Sequence, residues 1–176
     1  MKWLFSLLLS LLALTAAASA QASAANQVAT PVGGRLTEAT LYGLPGAANK
    51  KLSAYRGKPL IINIWASWCS PCRQEMASLS RLAKRFHGGQ FNIIGVSTDD
   101  NIEDAAFYAK RARLAFPIYL DSRDFYIEGL LGAKHIPLTV LISADGKVLK
   151  KVEGAREWDD PEVVKLIGET FGLKLK

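Results

Sequence analysis

The chain has only two cysteines and two histidines in 176 residues. One cysteine pair cannot form the multi-bridge framework that staples small secreted domains. A zinc site would need Cys69, Cys72, His87 and His135 together, and the two histidines stand far apart from finger spacing. Arg73, not histidine, follows Cys72, so covalent haem attachment is excluded. No basic block carries interleaved aromatics, so a nucleic-acid partner is not expected. No internal repeat is present, and neither a metal nor a cofactor is implied.

What remains is ample for a packed core. Hydrophobic residues make up 49% of the chain, and the net charge is +6. The length suits one domain plus a processed segment. Residues 1–20 read as an export signal: Lys2 is the positive end, Trp3 to Leu14 the apolar stretch, and Ala18-Ser19-Ala20 the small-residue cleavage site. The alternative is an uncleaved membrane anchor, since the apolar run reaches Ala18 when small residues are counted. Its shortness and its grading into Ala and Ser favour cleavage. No cysteine stands at the expected mature N-terminus to carry lipid. Residues 21–34, rich in Ala, Ser, Gln and Gly, have no apolar period and read as a flexible tether. Residues 35–176 form the predicted domain.

Within it, Leu36 to Leu41 alternates weakly as a first strand, and Leu52 to Gly57 makes a short helical turn. The unbroken apolar run Leu60 to Ala66 predicts a buried central strand. Beyond Pro71 the period becomes helical, with Met76, Leu79, Leu82, Ala83 and Phe86 on one face and Gly88-Gly89 as the stop. Phe91 to Ser97 is a second buried strand. Asp99, Asp100 and Asn101 offer a cap for a helix through Arg113. A short strand over Pro117 to Leu120 and a short helix over Asp124 to Leu131 follow. Ala144-Asp145-Gly146-Lys147 joins two β runs as a hairpin, and Asp159 or Asp160 with Pro161 opens a last helix. Alternating strands and helices closed by a hairpin predict an α/β domain, a mixed central sheet flanked by helices.

Cys69 and Cys72 sit where the central strand hands over to the long helix. A helix N-terminus favours thiolate over thiol, which makes the first cysteine a nucleophile. The second, one turn further in, is placed to attack a mixed disulfide. As a structural staple the pair would contribute little, because the loop it closes is tiny. Cys-x-x-Cys beside a βαβ pattern points to thiol–disulfide exchange in a thioredoxin-like fold.

Ile64-Trp65-Ala66-Ser67-Trp68-Cys69-Ser70-Pro71-Cys72-Arg73-Gln74-Glu75 resembles the active-site segment of the exported TlpA/ResA/CcmG-like thioredoxin family. Arg56-Gly57-Lys58-Pro59 before the central strand and His135-Ile136-Pro137-Leu138-Thr139 after the short helix match it too. The resemblance spans residues 35–172. It implies a thioredoxin-like fold with an extra N-terminal strand and a central βα insertion between Phe91 and Arg113. It implies a periplasmic thiol–disulfide oxidoreductase, acting as a monomer, that reduces exported disulfide-containing clients and is recharged by a membrane thiol reductase. Cytochrome c or copper-site maturation is a candidate setting; Leu138 stands where cytochrome-maturation members often carry an acidic or hydroxyl residue.

By that resemblance Cys69 attacks, Cys72 resolves, and Pro137 is a cis-proline packed against the disulfide. Ile136 offers its backbone to an extended substrate beside Trp68, Ser70 and Pro71. Asn63 replaces the buried aspartate of cytoplasmic thioredoxins. Glu75 tunes the cysteines or relays protons; the competing reading is a surface helix charge. His135 either lines the substrate groove or is a plain loop histidine. Two other functions stay open from the residues alone: a net oxidant of the DsbA type, and a non-catalytic binding or chaperone module.

Overall fold

The computed structural model describes residues 28–121 and 126–175. The expected export signal at 1–20 lies outside the described residues. The strands are β1 (Thr40–Gly43), β2 (Lys50–Lys51), β3 (Leu60–Trp65), β4 (Asn92–Ser97), β5 (Ile118–Leu120), β6 (Leu138–Ile142) and β7 (Val148–Glu153). The helices are α1 (Ser70–Phe86), α2 (Ile102–Arg111), α3 (Tyr126–Leu131) and α4 (Pro161–Phe171), with a 3-10 turn over Leu52–Tyr55. The sheet runs β2-β1-β5-β4-β3-β6-β7. β3, β4 and β5 are parallel, and β6 runs antiparallel to β3.

β3 is central because both its faces are covered, as its continuous apolar run predicts. Successive side chains point to opposite faces. Ile62 and Ile64 join a core with Leu41, Ile94, Val140 and the α3 residues Ile127, Leu130 and Leu131. Ile61 and Trp65 join the opposite core, with Met76, Leu79 and Leu82 of α1 and Val164 and Ile167 of α4. The sheet therefore separates two apolar layers and closes a thioredoxin-like α/β fold.

The helix ends follow their local chemistry. Asn101 caps α2 by accepting the Glu103 N–H, and Asp160 caps α4 by accepting the Glu162 N–H. Gly172 ends α4 at φ 67°, a left-handed conformation that costs glycine nothing. The Asp145-Gly146 hairpin forms as expected, with Gly146 N–H donating to the Ser143 carbonyl at 2.9 Å.

Two expectations shift. The first strand begins at Thr40, not Leu36, because Leu36 N–H bonds the Gly146 carbonyl at 2.9 Å instead of a strand neighbour. Residues 30–34 of the expected tether are fastened to the domain. Thr30 N–H donates to Leu130 O, Gly33 N–H to Val148 O, and Val148 N–H to Gly34 O, each at 2.8 Å. Composition suggested a tether because these residues carry no apolar period. What holds them is backbone hydrogen bonding, to which composition is blind.

Candidate active site

The C-terminal end of β3 delivers Trp65 into the core and turns through Ala66, Ser67 and Trp68 to Cys69. Cys69 N–H donates to the Ala66 carbonyl at 3.1 Å and closes the turn. Cys69 is itself the N-cap of α1, and its Sγ accepts the Cys72 N–H at 3.2 Å. Serine or aspartate oxygens usually fill that role. A sulfur in the same place sits at the positive end of the helix, where an anion is favoured. Pro71 opens the helix without needing the N–H it lacks.

Cys69 and Cys72 are joined as a disulfide, with their Cα atoms 5.3 Å apart. Cys69 is 5% exposed and Cys72 wholly buried, so the first cysteine is the one nearer the surface. Cys69 Sγ lies 4.0 Å from the Ile136 carbonyl oxygen. The Ile136–Pro137 peptide bond is cis, and the Pro137 carbonyl accepts the Gly154 N–H at 2.9 Å. Trp68, 68% exposed, stands out from the turn, and Ser70 and Pro71 are also exposed. An open cleft of about 940 Å³ beside the disulfide is lined by Trp68, Thr98, Asp100, Glu128, His135 and Ile136. His135 thus belongs to the wall of the cleft.

Glu75 is the main surprise. It is 1% exposed, so the surface-charge reading is corrected. Position 75 lies one helical turn past Cys72 and directly before Met76, on the face that packs on the sheet. A carboxylate is tolerated there because donors surround it. Asn63 Nδ2 donates to Oε1 at 2.7 Å; Trp158 Nε1 and the Arg156 N–H donate to Oε2 at 2.9 and 3.1 Å. Asn63 Nδ2 also reaches Thr139 Oγ1 at 2.9 Å. A buried network thus links β3, α1, β6 and the segment before α4. Burial pushes the Glu75 carboxyl above its ordinary range, and the bonds from Trp158, Asn63 and Arg156 pull it back in part.

The sign of the resulting pH effect follows. Between the ordinary carboxylate value and the raised folded one, the folded state binds more protons than the unfolded one. Stability therefore falls as pH rises through that window. Glu75→Gln is expected to remove this component. Urea unfolding from pH 4 to 8 should show the advantage of wild type over the variant shrinking as pH rises. Parallel curves would refute the assignment.

The sequence did not single out Thr139, Arg156 or Trp158, all of which hold this network. Arg156 acts through its backbone N–H, which no side-chain pattern announces. Asp99, one of three residues the sequence offers as a helix cap, points inward and bonds Ser67 and Ser97 instead.

Residues 32–151 match the model of the AhpC/TSA family. The chain is 31% identical over 134 residues to the thiol-disulfide oxidoreductase ResA of Geobacillus thermodenitrificans, covering 76% of each chain. It is 29% identical to ResA of Geobacillus kaustophilus, covering 77% of each. A Chlorobium tepidum crystal structure named for the thiol:disulfide interchange protein DsbE superposes with a TM-score of 0.72 at 26% identity, over 81% of this chain and 99% of that one. A chain so matched, with a paired Cys-x-x-Cys opening the helix α1, belongs to the AhpC/TSA family of the thioredoxin-like fold and is a thiol–disulfide oxidoreductase.

Proposed function

We propose that this protein is an exported, periplasmic reductase of client disulfides, with Cys69 as the attacking thiol and Cys72 as the resolving one. One observation carries the assignment of roles: the sulfur at the helix N-terminus, accepting the Cys72 N–H, belongs to the cysteine that keeps some exposure, whereas Cys72 has none. The Cys69 thiolate attacks one sulfur of the client disulfide. A Cys69–client bond forms, the client bond breaks, and the departing client thiolate takes a proton. Cys72 then loses its proton and attacks Cys69 Sγ. The Cys69–Cys72 disulfide forms and the second client thiolate leaves. Two electrons have passed to the client, and a second dithiol must supply two more to restart the cycle.

The remaining roles follow from this reading. Ile136, beside Cys69 and before Pro137, offers backbone groups to an extended client, while Trp68, Ser70 and Pro71 form the exposed rim. Glu75 receives or supplies the proton of Cys72 from one helical turn away. The domain acts as a monomer, exported by residues 1–20 or held by them at the membrane. Its electron donor is a membrane thiol reductase. Among the described residues no helix is long and apolar enough to cross a membrane. Clients with paired cysteines awaiting haem or copper fit the family resemblance.

The reduction potential of Cys69–Cys72 tests the direction. Equilibration with a thiol buffer, read from tryptophan fluorescence, is expected to give a value near or below about −270 mV. A value near about −120 mV would make the protein an oxidant and overturn the proposal.

A further inference from the structure

The turn that carries Cys69 is tied to the end of β4 by one buried carboxylate. Asp99 accepts the Ser67 N–H at 2.9 Å on Oδ2 and 3.2 Å on Oδ1. Ser67 Oγ donates to Oδ1 at 2.7 Å, and Ser97 Oγ donates to Oδ2. Asp99 N–H returns a bond to Ser97 Oγ at 3.0 Å. Just before it, Thr98 N–H donates to the Trp65 carbonyl at 2.9 Å. The ends of two parallel strands are thus stitched together immediately ahead of the disulfide. These donors are neutral, and Asp99 is buried. A carboxylate kept in such a place, with serine donors aimed at it from the turn after β3 and from the end of β4, is held for its geometry.

We propose that Asp99 is a positioning residue for the Cys69–Cys72 pair: its carboxylate fastens the Ala66–Trp68 turn to the end of β4 and so keeps Cys69 Sγ at the first turn of α1 when the pair is reduced. The inference rests on the reading of this pair as the redox centre. In the disulfide form, the sulfur–sulfur bond itself ties position 69 to position 72. In the dithiol form that tie is gone, and the clamp is what remains beside the Cys72 N–H bond. Removing the clamp therefore costs the dithiol more than the disulfide, and the equilibrium moves toward disulfide. Loss of the negative charge alone has the opposite sign, since it would favour a neighbouring thiolate and move the equilibrium toward dithiol. The other charged or titratable groups on the elements around the turn include Arg73 and Glu75 on α1, Asp100 after β4, Glu103, Asp104, Tyr108, Lys110 and Arg111 on α2, and Lys134 and His135 before Pro137. All stay in place in the variants below.

The test is a redox titration of the full chain against dithiothreitol buffers at pH 7, read as the alkylated fraction by mass. Asp99→Ala is expected to shift the equilibrium constant about tenfold toward disulfide, about 30 mV more negative. Asp99→Asn keeps an oxygen for the Ser67 N–H and is expected to stay within about threefold of wild type. A merely structural role would lower the thermal midpoints of both redox forms equally and leave the titration where it was. That result overturns the proposal, as does a shift toward dithiol or an Asp99→Asn curve displaced as far as Asp99→Ala. If Asp99→Ala does not fold, Ser67→Ala carries the test. It removes one donor and should move the titration the same way by about threefold; an unmoved curve overturns the proposal. A wild-type chain that does not titrate reversibly sinks the redox reading itself. Wild-type and variant curves that coincide sink only the role of Asp99.

Discussion

Replacing Cys69 by serine is expected to bring disulfide exchange down to the rate of a protein-free control, whereas Cys72→Ser should leave the first step intact and arrest the protein on its client. The asymmetry comes from placement. Cys69 caps α1 with its sulfur and keeps a little solvent exposure; Cys72 sits inside the first turn with none. An ordinary thiol is only a few per cent thiolate at pH 7. A helix N-terminus lowers a thiol pKa from its free value of about 8.5, and each unit of lowering while the thiol is still mostly protonated gives roughly ten times more nucleophile. A serine hydroxyl at position 69 supplies no comparable anion. In Cys72→Ser, Cys69 still attacks, but nothing within the chain can expel the client, so a mixed disulfide accumulates. Insulin reduction would measure the first variant. Mass spectrometry under non-reducing conditions would measure the second, as an adduct on Cys69. Retained insulin reduction in Cys69→Ser, or a client adduct on Cys72 in the wild-type chain, would reverse the two roles.

Much of this was legible because the relevant signals are local. The run Leu60 to Trp65 has no polar interruption except Asn63, and a strand buried on both faces needs just that. The Asp145-Gly146 turn and the Asp160-Pro161 helix start carry their own chemistry in adjacent residues. The cysteine pair was readable for the same reason: spacing and helix onset lie within a few positions. Glu75 was not readable, since nothing nearby shows whether position 75 meets water or a partner. Its partners come from β3 and from Arg156 and Trp158, some eighty positions away. At Asp99 two uses of one residue type compete. Three cap-forming residues stand in a row, and only packing decides that Asn101 takes the helix while Asp99 turns inward. The fastening of residues 30–34 is invisible to composition because main-chain groups bind them, and every residue has those.

Trp158 is the residue whose loss should cost the fold most outside the disulfide. It is 2% exposed, packs in the same core as Met76, Leu79 and the two cysteines, and donates Nε1–H to Glu75 at 2.9 Å. Trp158→Ala removes a large buried ring and is expected to destabilise by about 3–5 kcal/mol. Trp158→Phe separates the hydrogen bond from the packing. It keeps most of the apolar volume but leaves a buried carboxylate short of a donor, at a cost of about 1–3 kcal/mol. The second loss should depend on pH. Without Trp158, one of the bonds that restrain the upward shift of Glu75 is gone, so the carboxyl rises further. The folded state then holds its proton to higher pH, and stability declines over a wider span as pH rises from the ordinary carboxylate value. At low pH the carboxyl is protonated in both chains, and the cost of Trp158→Phe should shrink. In a Glu75→Gln background the pH dependence of that cost should vanish, because no carboxylate remains to be stranded. Urea unfolding of the four chains at pH 4 and pH 8 completes the double-mutant cycle. Equal costs at both pH values would show that Trp158 acts through its ring alone and that its N–H does not govern the charge of Glu75.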